Sequence, residues 1–132
     1  MSTTQVKLVI VGLLFVFIFV CGYILSRAGK PYPMVLFTLH KLLTLGTVVF
    51  LALSINKIAQ VSPLSQLQIL AVVITSVLFL ATIATGGVVS AATSVPMIAR
   101  GLHHIVPYLA LLSSAWMIFI VFIKNSLVAS GA

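Results

Sequence analysis

The sequence predicts an all-α integral membrane protein, a four-helix bundle running up-down-up-down, and three observations lead there. Of 132 residues, 62% are hydrophobic and 5% charged, against roughly 45–50% and about 25% in soluble domains. Four apolar runs each approach or exceed the ~20 residues that cross a ~30 Å hydrocarbon core as helix. Short segments rich in Gly, Pro, Ser and Asn separate them, so neighbouring helices are expected to be antiparallel. The whole of 1–132 then reads as a single transmembrane domain.

The first span, about 7–25, is almost purely apolar. It exceeds the about 7–15 residues of a signal-peptide core and no clear small-residue cleavage site follows, so a retained helix is expected. Ser26 to Pro33, with Gly29, Pro31 and Pro33, forms the first turn. The second span covers about 34–55, and Asn56-Lys57 followed by Ser62-Pro63 reads as the next turn. The third covers about 64–90. Ala91 to Pro96 is the third turn, with Ser94 as candidate N-cap. The fourth covers about 96–123.

Charge narrows the chemistry. The chain carries +7 with no Asp or Glu at all. It therefore builds no carboxylate general acid or base, no carboxylate proton relay and no Mg²⁺ or Ca²⁺ cage. Seven cations scattered at helix ends anchor to lipid headgroups rather than to nucleic acid. Lys7, Lys57 and Lys124 flank one side; Arg27, Lys30, Lys41 and Arg100 flank the other, which leans the latter toward the cytoplasm. The one cysteine, Cys21, lies inside a span, so no internal disulfide and no CxxC redox motif exist.

The feature richest in chemistry is a repeat. Pro33-Met34-Val35 followed by Leu39-His40-Lys41 matches Pro96-Met97-Ile98 followed by Gly101, Leu102-His103-His104, 63 residues on. Each histidine lies seven residues after its proline, about 10 Å of helix. This spacing points to a tandem duplication of a two-helix unit, although the first and third spans follow the same register only loosely. Spans two and four run parallel in an alternating topology, so His40 and His103 are expected at one depth.

Helical phase places both histidines inward. The stripe from His40 carries Thr44, Thr47, Leu51 and Ser54; that from His103 carries Pro107, Ala110, Ser114 and Met117. Small and hydroxyl-bearing residues line helix contacts in membranes. His104 shares its stripe with Tyr108, Leu111, Ala115 and Ile118 and reads as lipid-facing or interfacial. Toward the same end of span three lie Thr82, Thr85, Gly86, Gly87 and Ser90. The two glycines are expected to clear room for a flat macrocycle, or else to let helices pack closely. Pro107 removes the usual helical donor to the His103 carbonyl, which is expected to kink the fourth helix.

Two neutral imidazoles are the ligand set of a low-spin b-type haem, and no CxxCH attachment motif is present. His40 and His103 are the candidate axial ligands, with His104 the alternative to His103. Arg27, Lys30, Lys41 and Arg100 are candidate partners for haem propionates, and ordinary snorkelling explains each of them equally well. Tyr32, Phe37 and Tyr108 are candidates to line the pocket or a quinone site. Zn²⁺ or Cu²⁺ held by the three histidines is the alternative cofactor.

At these residues the chain resembles the small four-helix transmembrane b-type cytochromes, which hold haem between histidines and exchange electrons with quinones or similar carriers. The likeness covers the chain in architecture and rests on His40 with Lys41 and His103 with His104. Family members with two haems carry a second histidine pair in the other leaflet; this sequence has none there. The resemblance thus implies one haem and an electron carrier or redox subunit rather than a stand-alone enzyme. It also implies a quinone or redox protein as partner, within a homo-oligomer or larger complex. Two rival expectations are a cofactor-free structural or assembly subunit and a small metal or haem transporter.

Overall fold

A computed structural model describes residues 2–123; Lys124, one of the flanking cations above, lies outside the described residues. Four helices follow in order: α1 (Thr3–Ala28), α2 (Met34–Val61), α3 (Gln66–Ala91) and α4 (Met97–Ile118), the last passing into a π-helical segment, Phe119–Ile123. All four are long and apolar enough to cross a membrane. The all-α class and the multi-pass membrane character therefore stand.

The chain divides between Val61 and Ser62 into two compact units, each a helical hairpin. In the first, α1 packs on α2; in the second, α3 packs on α4. The partners in the second hairpin show its antiparallel register. Gln68 reaches Ile120, Thr75 meets Ser113 and Thr85 meets His103, so positions rise along α3 as they fall along α4.

The two hairpins follow one plan at a spacing of 63 residues. Helix starts pair as Thr3 with Gln66 and Met34 with Met97, and Ala28 pairs with Ala91 at helix ends. The register that the apolar spans followed only loosely is thus kept at their boundaries. Capping chemistry explains why. Ser2 and Ser65 both begin a capping box: each hydroxyl accepts the N–H of Gln5 or Gln68, and each glutamine side chain accepts the serine N–H in return. Two otherwise unsatisfied helix donors are covered at each start. Pro33 and Pro96 open α2 and α4, their carbonyls accepting from Phe37 and Arg100 at 2.9 and 3.1 Å. Gly29 ends α1 at φ 68°, where a side chain would be strained, and its N–H bonds the Leu25 carbonyl.

Some boundaries differ from the sequence reading. Asn56 and Lys57 are not a turn: α2 continues through them to Val61. Both side chains are exposed, and neither breaks a helix whose next proline, Pro63, is several residues away. Ser94 is not the N-cap of α4; Pro96 holds that position without a side-chain hydrogen bond.

Each hairpin buries the predicted face. In α2 the half-buried His40 and Thr44 continue into Thr47, Leu51 and Ser54, all buried. In α4 the half-buried His103 and Pro107 continue into the buried Ala110, Ser114 and Met117. The opposite faces carry exposed Leu13, Val16, Phe17, Leu42, Leu80 and Leu112, a surface suited to hydrocarbon. Several hydroxyls on these faces donate within their own helices: Thr47 to Leu43, Thr82 to Leu78 and Ser114 to Ala110.

Candidate functional site

The first hairpin seats His40 against the last third of α1. Its Nδ1 lies 3.1 Å from the carbonyl oxygen of Ile18. Gly22, one turn on, provides the room: a Cβ there would stand 3.2 Å from the ring's Cε1. With no side chain at position 22, the ring lies against bare backbone and reaches a carbonyl that has a second lone pair beyond its helical bond. The His40 carbonyl in turn accepts from the Thr44 hydroxyl at 2.9 Å.

The second hairpin seats His103 in the matching place with different chemistry. Its Nδ1 lies 3.2 Å from Thr85 Oγ1. That hydroxyl stands 2.8 Å from the Ala81 carbonyl and 3.1 Å from that of Thr82. A Cβ at Gly86 would come within 2.8 Å of His103 Cε1, closer than real Cβ contacts, so Gly86 is required for this ring position. Gly87 meets nothing within 4 Å. The two glycines therefore differ: at Gly86 the imidazole itself takes the vacated space, and Gly87 faces away from it.

His104 is exposed and on the other face from His103. The cations sit at or near the loop ends of their hairpins. Arg27, Lys30 and Lys41 in the first and Arg100 in the second are all exposed. Lys41 Nζ lies 4.2 Å from the centre of the Phe37 ring, and Lys30 Nζ lies 6.0 Å from that of Tyr32. Tyr32 and Phe37 stack at 5.6 Å and 15°. Two stacked aromatics flanked by two lysines thus form one cluster of the first hairpin. Tyr108 is exposed on α4.

Sequence reading missed Gly22 and the role of Ile18, because α1 carries no polar residue at that level to mark a face. One signal was present: Gly22 precedes His40 by 18 residues and Gly86 precedes His103 by 17. Thr85 was visible as a polar residue, but its contact with His103 was not.

Chemically, each site offers an imidazole oriented through one ring nitrogen by a neighbouring helix. Neither site brings a carboxylate side chain, since the sequence has no Asp or Glu. Among the described residues no three His, Cys, Asp or Glu side chains gather as a metal-binding group. Compared with known protein families, with curated proteins and with solved structures, the chain finds no match.

Proposed function

We propose that this protein is a membrane-bound b-type cytochrome that transfers single electrons through one haem, with His40 and His103 as its axial ligands. The observation that carries the reading is the matched seating of the two imidazoles. Each occupies the same position of a repeated hairpin and rests on a glycine of the neighbouring helix. Each is also held there through Nδ1. Ligating histidines characteristically give one nitrogen to the metal and tie the other to a carbonyl, a carboxylate or water. The donor set fits haem b: two imidazoles, an apolar helical surround and no motif for covalent attachment.

Haem would supply the one-electron chemistry; the chain supplies orientation, burial and charge. Arg27, Lys30, Lys41 and Arg100 are the cations available to propionates, and fixed positive charge near a haem favours its reduced form. A quinone or a redox protein is the partner class such a carrier serves, and Tyr32, Phe37 and Tyr108 are the aromatics available to a quinone ring.

The test is an absorption spectrum of the detergent-purified protein, oxidised and then reduced with dithionite, after expression with ample haem. Expected are a Soret band and sharp reduced α and β bands, lost in both His40→Ala and His103→Ala. A colourless protein that also fails to take up added haem would overturn the reading. Zn²⁺ or Cu²⁺ would then be titrated against the same variants. One observation favours a second reading, a cofactor-free structural subunit: the bonds that orient the imidazoles also pin each hairpin together, as polar groups do between membrane helices. That reading expects the colourless result with the fold intact.

A further inference from the structure

The hydrogen-bond partners of the two imidazoles bear on which ring nitrogen carries the proton, and in the second hairpin the partner is one side chain. A carbonyl oxygen only accepts, so at 3.1 Å from the Ile18 carbonyl the Nδ1 of His40 donates. The case of His103 takes one more step. A threonine hydroxyl has a single hydrogen. Thr85 Oγ1 lies within bonding distance of two carbonyls, Ala81 at 2.8 Å and Thr82 at 3.1 Å, both of which only accept, and we assign its hydrogen to one of them. Toward His103 Nδ1 the same oxygen can then only accept, so that nitrogen also donates. In a neutral imidazole with Nδ1 protonated, the lone pair is on Nε2.

We infer that Thr85 is a positioning residue that fixes His103 as the Nδ1–H tautomer, doing through its hydroxyl what the Ile18 carbonyl does directly for His40. The 63-residue register supports the equivalence. Ala81 is the counterpart of Ile18 and Thr85 of Gly22. Where α1 leaves its carbonyl bare, α3 caps the matching carbonyl with Thr85 and presents the hydroxyl oxygen in its place. Both rings thereby offer Nε2 as the basic nitrogen. The inference extends the haem reading by naming what prepares the ligand, yet its first test does not need haem.

The full chain, labelled with ¹⁵N-histidine, is made under haem-deficient conditions and placed in lipid nanodiscs at alkaline pH, where the rings are neutral. Nitrogen spectra then report the tautomer of each histidine. His40 and His103 are expected as Nδ1–H, and the exposed His104 as the Nε2–H form that predominates in free histidine. Thr85→Val should shift His103 away from Nδ1–H and leave His40 unchanged, and Thr85→Ser should restore it. The native protein alone can overturn the inference: an Nε2–H proton on His103 does so, whatever the variants do. An unchanged His103 tautomer in Thr85→Val overturns it as well. If the purified protein carries haem, Thr85→Val should raise the midpoint potential, because losing the Nδ1 bond makes the ligand less basic, and Thr85→Ser should reverse the rise. A lost tautomer with an unmoved potential would remove the positioning role toward haem. A protein that shows the expected tautomers but stays colourless when haem is added would sink the haem reading and leave the Thr85 assignment standing.

Discussion

In the first hairpin an imidazole rests on bare helix backbone; in the second it rests on a threonine hydroxyl and a glycine one residue further along. The difference has a geometric logic. Thr85 fills the place that Gly22 leaves open, so the His103 ring settles toward position 86, and that position must then lack a side chain. The counterpart of Gly86 in α1 is Tyr23, which is 65% exposed and faces outward. One substitution inside the repeat thus demands a second beside it. Two copies of a hairpin can keep the same helix ends and the same histidine while solving the local hydrogen bond in different ways.

The hairpins also differ in how they are pinned. The second carries polar bonds between its helices beyond the histidine, among them Gln68 to the Ile120 carbonyl at 2.8 Å and Thr75 with Ser113 at 2.6 Å. Their counterparts in the first are Gln5 with Lys57 and Gly12 with Phe50. Gln5 is exposed and, among the described residues, serves its own capping box, whereas Gln68 is buried and serves both its cap and the π-helical segment that follows α4. The same motif is thus a local cap in one copy and an interhelical clamp in the other.

The largest separation between the hairpins should come from that glutamine. Gln68→Ala removes one arm of a capping box and leaves the Ile120 carbonyl without its side-chain donor. Losses of this kind cost about 1–3 kcal/mol, and the second hairpin should lose about 2 kcal/mol. Gln5→Ala touches only an exposed cap and should cost under about 1 kcal/mol. Amide hydrogen exchange in detergent micelles, read separately for α3–α4 and α1–α2, measures both. Equal losses would mean that the buried bond adds nothing to the cap.

The glycines should separate the hairpins by less. Alanine at position 86 forces the His103 ring to move, because its Cβ would come within 2.8 Å; at position 22 the corresponding approach is 3.2 Å, which a small shift relieves. Overpacking costs about 1–3 kcal/mol, and replacing a helical glycine by alanine returns about 0.5–1 kcal/mol. Gly86→Ala should therefore destabilise its hairpin by about 1 kcal/mol while Gly22→Ala stays near neutral. Thermal unfolding of the two variants side by side checks the ranking, and a costlier Gly22→Ala would reverse it.

Much of this was legible from residues. Composition and spans gave four membrane helices; phase gave the buried faces of α2 and α4, including His103 inside and His104 outside. These depend on a period of 3.6 and a solvent preference, both properties of one segment at a time. What escaped reading depends on two segments at once. Which residue of α1 opposes His40 follows from the antiparallel register, so neither Gly22 nor Ile18 could be singled out from α1 alone. The capping boxes were different: Ser2 to Gln5 and Ser65 to Gln68 carry the S-x-x-Q pattern openly, and reading them would have set both helix starts. Asn56-Lys57 carries the polarity of a turn without its backbone chemistry: neither residue breaks a helix, whereas Pro63 forbids its continuation.

The smallest expected effect tests whether the extra pins of the second hairpin are additive. Thr75 is buried and its hydroxyl meets that of Ser113; valine in its place keeps the shape and removes the bond. Hydrogen bonds between membrane helices average about 0.6 kcal/mol, because the separated helices find other partners for the same groups. The Ser113 hydroxyl has such a partner at hand in the carbonyl one turn earlier on its own helix. Thr75→Val should therefore cost about 0.6 kcal/mol and leave the His103 tautomer unmoved, since three helical turns of α3 separate the two sites. Combined with Gln68→Ala, the two losses should add, because the bonds to Ile120 and Ser113 involve different partners and the residues stand about two turns apart. A double variant that loses far more than the sum would show the second hairpin's polar face acting as one network rather than as separate pins.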